Sequence, residues 1–300
     1  MKIIKPNYFD DFKCKADRCI NSCCSAGWQV DVDAKSLDRY CSLNDEFLKD
    51  ITNYIAVNKK SKTFKQQDGH CVFFKNGLCE LVLKFGDKAL CDVCRDYPRF
   101  YVWQKDICLV GLSLDCEEVA NLILNNNKKV CFNTNVKSKD SKTEQQLNLL
   151  FDVISVLQDK TQNIYERIKN VDDKLQIKNA NINRDIFDIF DELEWLNFDG
   201  QSLKNFLKQQ SLNSFIYDDE KIENLLVYFV YRYFLNNQYK VSNKARFMFA
   251  LFCTVCCDKM QLYFDTNSQN YYEYKGITTF CRQIEYSTKN VSVLLNYFNK

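Results

Sequence analysis

Sixteen cysteines in 300 residues, eleven of them before residue 120, constrain this chain more than any other feature. They fall in groups: Cys14, Cys19, Cys23 and Cys24, then Cys71 and Cys79, then Cys91 and Cys94, with Cys116 after them. A thiolate site needs several sulfurs converging on one centre. Short spacings supply pairs from a single turn, and distant pairs complete the shell. Cys91-Asp-Val-Cys94 has the tight spacing that sets two sulfurs on one side of a turn. The competing use of so many cysteines is a disulfide framework, which belongs to oxidising compartments. The stretch from Met1 to Phe12 carries lysines, aspartates and Pro6 but no apolar run, so it does not read as a signal peptide. The most apolar stretch, Phe247–Cys257, is far short of the roughly 20 residues that cross a bilayer. A cytoplasmic chain without a membrane partner is expected, and in that compartment clustered cysteines bind metal or do redox work. Charge adds an exclusion: 41 basic against 39 acidic residues give none of the basic excess of a nucleic-acid binder.

The identity of the metal follows from spacing. A zinc ribbon shows two C-x-x-C knuckles, and only one occurs before residue 120. Nine thiolates also exceed one zinc site. The radical C-x3-C-x2-C spacing is begun by Cys19 and Cys23 but broken at Ala26. An iron–sulfur cluster, of the [4Fe-4S] type, is the expected cofactor, with zinc as the alternative. Cys41, Cys108 and Cys131 read instead as small buried apolar residues. Cys253, Cys256 and Cys257 share a helix face inside an apolar run and read as core. The one histidine, His70, reads as incidental to its neighbour Cys71. Without a second histidine no triad can form, and no glycine-rich phosphate loop is present.

The expected fold is mainly α: a cysteine-rich, loop-rich, metal-binding unit over residues 1–124 packed on a helical bundle over 143–300, with the polar segment 125–142 as linker or exposed loop. Val30–Tyr40 starts extended and turns helical near Ala34. Lys75-Asn76-Gly77 and Phe85-Gly86-Asp87 read as turns. Leu147, Leu150, Phe151, Ile154, Leu157, Ile164 and Ile168 recur at helical spacing. Ile186–Leu193 makes a shorter helix, and Ile222–Tyr233 a third. Ala245–Met260 is apolar nearly all round, hence a buried central helix. Residues 277–285 and 288–298 close the chain as a helical pair with Ser287 as N-cap.

Four pieces of the sequence carry a resemblance: Phe12-Lys-Cys14 through Cys19, Cys23-Cys24-Ser-Ala-Gly27-Trp28; Cys71-Val-Phe-Phe74 through Gly77-Leu78-Cys79; Leu90-Cys91-Asp-Val-Cys94-Arg-Asp-Tyr97-Pro98-Arg99; and Leu112-Ser-Leu-Asp-Cys116. With Tyr228–Leu235 and Phe280–Ser287 they resemble the flagellin lysine N-methylase family, within a wider class of zinc- or iron-chelating cysteine proteins. The resemblance runs over nearly the whole chain. It implies S-adenosylmethionine-dependent methylation of lysine ε-amines, flagellin as the partner, and the nine grouped cysteines as the shared metal ligands. One position departs: family members often carry a histidine where Tyr286 stands, so no proton-handling role carries over there. The wider class implies a second reading, a non-catalytic iron–sulfur or zinc module.

Methyl transfer sets a requirement of its own. A lysine ammonium with a pKa of about 10.4 must become a neutral amine, which costs about 4.6 kcal/mol at pH 7. Desolvation, a base or aromatic faces that hold the ammonium meet that need. The candidates are Tyr97, Tyr228, Tyr231, Tyr233 and Tyr286 for the aromatic lining and Glu285 for the ammonium or its proton. Arg99 or Arg232 is the candidate for the cofactor carboxylate, bound in bidentate fashion. Each has a plain alternative in core packing or in pairing with an acidic neighbour.

Overall fold

The computed structural model describes the chain except for residues 43–46, 48–50, 59–60, 179–180, 197 and 268. It divides into two compact units, Cys14–Arg99 and a second built from Met1–Lys13 with Phe100–Lys300. The break thus falls 25 residues before the boundary expected at 124, and the first thirteen residues go with the C-terminal part. The cause is main-chain pairing. Lys2–Ile4 runs parallel to Ile107–Leu112 and completes a three-stranded sheet with Arg99–Gln104 on the other edge. Backbone hydrogen bonds of this kind leave no hydrophobic period to read in a three-residue strand.

In the Cys14–Arg99 unit, short pieces are joined by tight turns. Two hairpins place their turn residues in the left-handed region, Asp68-Gly69 between Gln66–Gln67 and His70–Cys71, and Asn76-Gly77 between Phe74–Lys75 and Leu78–Cys79. Glycine and asparagine or aspartate tolerate that region, which matches the twist of a hairpin. The second hairpin is the turn expected at Lys75-Asn76-Gly77. The helix Glu80–Phe85 then ends at Gly86, whose φ is 75°, as expected for a glycine after the last turn. Residues before Ala34 are extended, with Val32 N–H donating to Lys62 O and Phe64 N–H to Val30 O. The helix Ala34–Ser42 follows. A small core of Tyr40, Ile51, Phe64, Phe73, Leu81 and Cys91 holds these pieces, with Phe64 and Phe73 edge-to-face at 4.9 Å.

The second unit is mainly helical around the three-stranded sheet. The run expected from Leu147 to Ile168 is two helices, Ser141–Leu157 and Ile164–Lys174. Asn163 and Glu166 cap the second reciprocally, which starts a new helix rather than continuing the first. The piece at 186–193 is a 3₁₀ helix, Arg184–Glu192. Asp219–Tyr233, Asn243–Met260, Lys275–Glu285 and Thr288–Phe298 match the expected helices, and Ser287 accepts the Asn290 N–H as N-cap. The helix Asn243–Met260 is buried on every side. Its own charged residues are satisfied internally. Asp258 accepts the N–H groups of Ile216 and Tyr217 at 2.8 Å each and pairs with Lys259 at 2.7 Å. The 125–140 segment is non-helical but fixed: Val130 is buried, and Phe132 pairs with Pro6 and stacks on Tyr231 at 4.6 Å. No helix among the described residues is long and apolar enough to cross a membrane.

Asp172, near the end of the helix Ile164–Lys174, is a point of built-in instability. It is 9% exposed, and its Oδ1 has no hydrogen-bond partner. Burial, helped by the charge of Asp173, pushes its carboxyl up from 3.8 to about 7. The folded state therefore holds the proton more tightly than the unfolded one, so stability falls as pH rises from about 4 to about 7. Asp172→Asn is expected to raise the melting temperature at pH 8, by the equivalent of roughly 2 to 4 kcal/mol. Below pH 4 it should leave melting unchanged. Equal melting of the two proteins at both pH values would contradict the assignment.

Candidate functional site

Six of the nine grouped cysteines come together in the Cys14–Arg99 unit. Cys23 and Cys24 are adjacent in a short 3₁₀ turn, and Cys24 shares hydrogen bonds with Cys23 and with Cys79 from the far end of the second hairpin. Cys91 and Cys94, at the start and middle of the short helix Asp92–Asp96, hydrogen-bond each other. Cys71 lies within electrostatic reach of Cys23, Cys79 and Cys91, and Cys94 within reach of Cys23 and Cys71.

Main-chain amides add to the sulfurs. The Leu81 and Val82 amides lie near Cys79, that of Cys94 near Cys91 and that of Phe73 near Cys71, but neither Cys79 nor Cys91 closes a side-chain cap hydrogen bond to its helix. Amides near sulfur favour the thiolate, the form that ligates metal. The thiols respond unequally. The Cys24 hydrogen bond, joined by these amides, brings Cys79 down to about 6. Cys94 brings Cys91 down as well. Cys24 and Cys94, the donors of those bonds, go up, and burial takes Cys71 to about 11. Among the described residues no three Cys, His, Asp or Glu side chains already stand in the arrangement of a metal site. The donor chemistry nonetheless fits a thiolate-bound ion: soft ligands, converging, with amides near them.

The remaining cysteines are placed as follows. Cys14 is exposed, accepting the Ala16 N–H at 3.4 Å, and Cys19 is half-buried. Cys116 lies in the second unit as N-cap of the helix Glu117–Leu124. Cys108 is buried as expected, but Cys41 and Cys131 are exposed and are not core residues. Cys253, Cys256 and Cys257 are fully buried, with Cys257 Sγ 3.9 Å from Cys281 Sγ across two helices. His70 is exposed, its ring 5.6 Å from Phe74.

A second constellation forms inside the other unit, where the helix Asp219–Tyr233 meets the end of the helix Lys275–Glu285. Glu285, whose side chain is 2% exposed, is its centre. Tyr233 OH donates to its Oε1 at 2.8 Å, Tyr228 OH to its Oε2 at 2.9 Å, and Arg232 Nε stands 3.3 Å away. Arg232 Nη1 reaches Ser113 Oγ and Tyr228 OH, both at 2.6 Å, and its guanidinium lies 4.5 Å over the Phe100 ring. The Leu114 N–H donates to Tyr228 OH at 3.1 Å. Burial raises the Glu285 carboxyl, against the pull of Arg232. Burial works against the Arg232 charge too, yet Glu285 holds its proton on well above the ordinary range. Burial keeps Tyr228 and Tyr233 firmly as neutral donors.

Of the residues singled out from sequence, Arg232, Glu285, Tyr228 and Tyr233 thus converge. Tyr231 does not join them: its hydroxyl donates to Ile4 O at 2.7 Å and ties the first strand down. Nor is Arg232 open for a bidentate cofactor carboxylate, since Nε and Nη1 are committed to Glu285, Ser113 and Tyr228. Tyr286 is half-buried at the end of its helix. Tyr97 and Arg99 lie in the Cys14–Arg99 unit, with Tyr97 against Trp28 at 5.3 Å. Ser113, the Leu114 amide and Phe100 were missed. Ser113 and Leu114 sit in the stretch singled out for Cys116, but a hydroxyl and an amide have no signature there until Arg232 and Tyr228 arrive from residues more than 100 positions away.

Comparison with known proteins gives three relatives, each 28% identical over 131 residues and covering 41% of this chain. One is a flagellar biosynthetic protein, FliU, of Salmonella muenchen, of which the match covers 77%. The other two are proteins named lysine-N-methylase, from Salmonella choleraesuis and Salmonella typhimurium, of which it covers 32% each. The match therefore spans about a third of the length of these two. No family profile and no solved structure matches the chain.

Proposed function

We propose that this chain, similar to the lysine-N-methylases, transfers methyl groups from S-adenosylmethionine to lysine ε-amines of flagellin. In this reading Cys23, Cys24, Cys71, Cys79, Cys91 and Cys94 hold an iron–sulfur cluster, with zinc as the alternative. Cys14 and Cys19 of the same unit remain candidate ligands; Cys116 lies in the other unit. The names of the relatives support the reaction class, and the grouped sulfurs of the Cys14–Arg99 unit support the metal. The observation that carries the catalytic assignment is the buried Glu285 carboxylate with its phenol and guanidinium partners.

S-adenosylmethionine supplies an electrophilic methyl group on a sulfonium sulfur. What the chain must supply is a neutral amine. Glu285 Oε2, its carboxyl raised by burial, is the proton acceptor for the incoming ammonium: the N–H bond breaks and the proton passes to the carboxylate, which frees the nitrogen electron pair to form the N–C bond as the methyl–sulfur bond would break and its electrons leave on the neutral thioether. Arg232 steadies the carboxylate before transfer, and Tyr228 and Tyr233 fix its orientation. The aromatic faces of Phe100 and Tyr228 provide a dry surround that lowers the pKa of an ammonium. Tyr97 and Arg99 carry no step here.

Incubating the purified, anaerobically loaded protein with flagellin and methyl-labelled S-adenosylmethionine tests the proposal. Label should appear on flagellin lysines, and Asp31→Asn, at an exposed position of the other unit, should retain full activity. Metal binding with no transfer of label would favour the non-catalytic metal module instead.

A further inference from the structure

The exposed Cys41 is the one cysteine of the helix Ala34–Ser42, yet two residues of this helix and Asp33 just ahead of it grip the chain on both sides of Cys91. Asp33, just ahead of the helix, accepts the Ser36 N–H at 2.8 Å through Oδ1, as an N-cap does. Its Oδ2 accepts the Ser36 hydroxyl at 2.7 Å and the main-chain N–H of Asp92 at 2.9 Å. One carboxylate therefore caps two helices, its own and the short one that carries Cys94. From the last turn, Arg39 Nη2 donates to Leu90 O at 2.8 Å while braced by Ser36 Oγ at 2.9 Å. The buried Tyr40 hydroxyl donates to Ala89 O at 2.6 Å. Main-chain groups at 89, 90 and 92 are all fixed, and Cys91 between them is 0% exposed.

We infer that the helix Ala34–Ser42, through Asp33, Arg39 and Tyr40, is the positioning element for the Cys91–Cys94 ligand pair. The inference rests on these two cysteines being metal ligands. Its physical content is preorganisation. A five-residue helix cannot hold its own geometry, because nucleation outweighs one turn of hydrogen bonds. Without outside anchors the two sulfurs would sample many separations. Anchors that fix the main chain before metal arrives lower the ordering cost of binding, as groups that orient ligands do elsewhere, with losses of about 10- to 100-fold when they are removed. Asp33, Arg39 and Tyr40 touch no reacting atom; they act through Cys91 and Cys94.

The test uses cobalt(II) titrated into the full-length metal-free protein, with sulfur-to-metal charge-transfer absorption reporting thiolate binding. The second readout is the rate at which iodoacetamide alkylates Cys91 before any metal is added. Asp33→Ala should weaken cobalt binding by about 10- to 100-fold and speed Cys91 alkylation several-fold. Asp33→Asn, which keeps one acceptor oxygen, should recover part of both, and Asp31→Asn should change neither. If Asp33→Ala does not fold, Tyr40→Phe takes its place, removing only the hydroxyl that holds Ala89. Unchanged cobalt affinity together with unchanged Cys91 alkylation overturns the inference. If the unaltered protein takes up no cobalt, a mononuclear thiolate site fails by itself, and the alkylation rates alone decide whether the helix positions this segment.

Discussion

Cys79→Ser is expected to abolish metal loading and to leave the Cys14–Arg99 unit without a cooperative melting transition. Cys79 sits at the junction of the cluster. It shares a hydrogen bond with Cys24, lies within reach of Cys71, and has the Leu81 and Val82 amides nearby at the head of its helix. An alcohol in its place is a poor ligand for a soft ion, and those amides would lie near a hydroxyl. The size of the effect follows from the core of this unit, which rests on a handful of large side chains such as Tyr40, Phe64, Phe73 and Leu81. Small units of this kind draw much of their stability from bound metal, and structural thiolate sites contribute on the order of 10 kcal/mol. Iron, sulfide and zinc analysis beside thermal melting, with and without chelator, gives the measurement. Cys131→Ser, at an exposed cysteine of the other unit, serves as control. A Cys79→Ser protein with full metal content and unchanged melting would refute the shared centre.

Glu285→Ala should be the most damaging change in the second unit. It leaves the Arg232 guanidinium charged and buried, and removes the acceptor for the Tyr228 and Tyr233 hydroxyls. Removing one partner of a buried ion pair costs about 3–5 kcal/mol, so a loss of several degrees or more in melting temperature is expected. Glu285→Gln separates charge from shape. It keeps an acceptor for the tyrosines, so stability should fall less, while methyl transfer should drop by about 10²- to 10⁴-fold if the carboxylate takes the proton. Raising the pH should restore part of the lost rate, because more of the lysine is then already neutral. A Glu285→Gln protein with undiminished transfer at pH 7 would leave the cluster a structural ion pair and nothing more.

Local chemistry made several parts of this molecule legible. The Asn76-Gly77 turn, the Ser287 cap and the all-round apolar helix Asn243–Met260 each depend on residues a few positions apart, and each stands where the pattern put it. The grouped cysteines were legible for the same reason, since their excess before residue 120 is a property of composition and spacing. The attachment of Met1–Lys13 to the second unit was not, because it rests on main-chain bonds to residues 106–109, which carry no side-chain signature.

The helix Asp219–Tyr233 shows where the sequence stops. At about 100° per residue, Tyr231 and Tyr233 lie symmetrically on either side of Arg232, so periodicity gives both the same standing. The packing separates them: Glu285 arrives on the side of Tyr233, while the first strand, through Ile4 O, arrives on the side of Tyr231. Residue type and spacing determined that this chain would carry grouped cysteines before residue 120 and a tyrosine-rich helix at 222–233. Which tyrosines meet Glu285, and which sulfurs meet one another, only the tertiary structure decided, because both depend on contacts between groups tens to hundreds of residues apart.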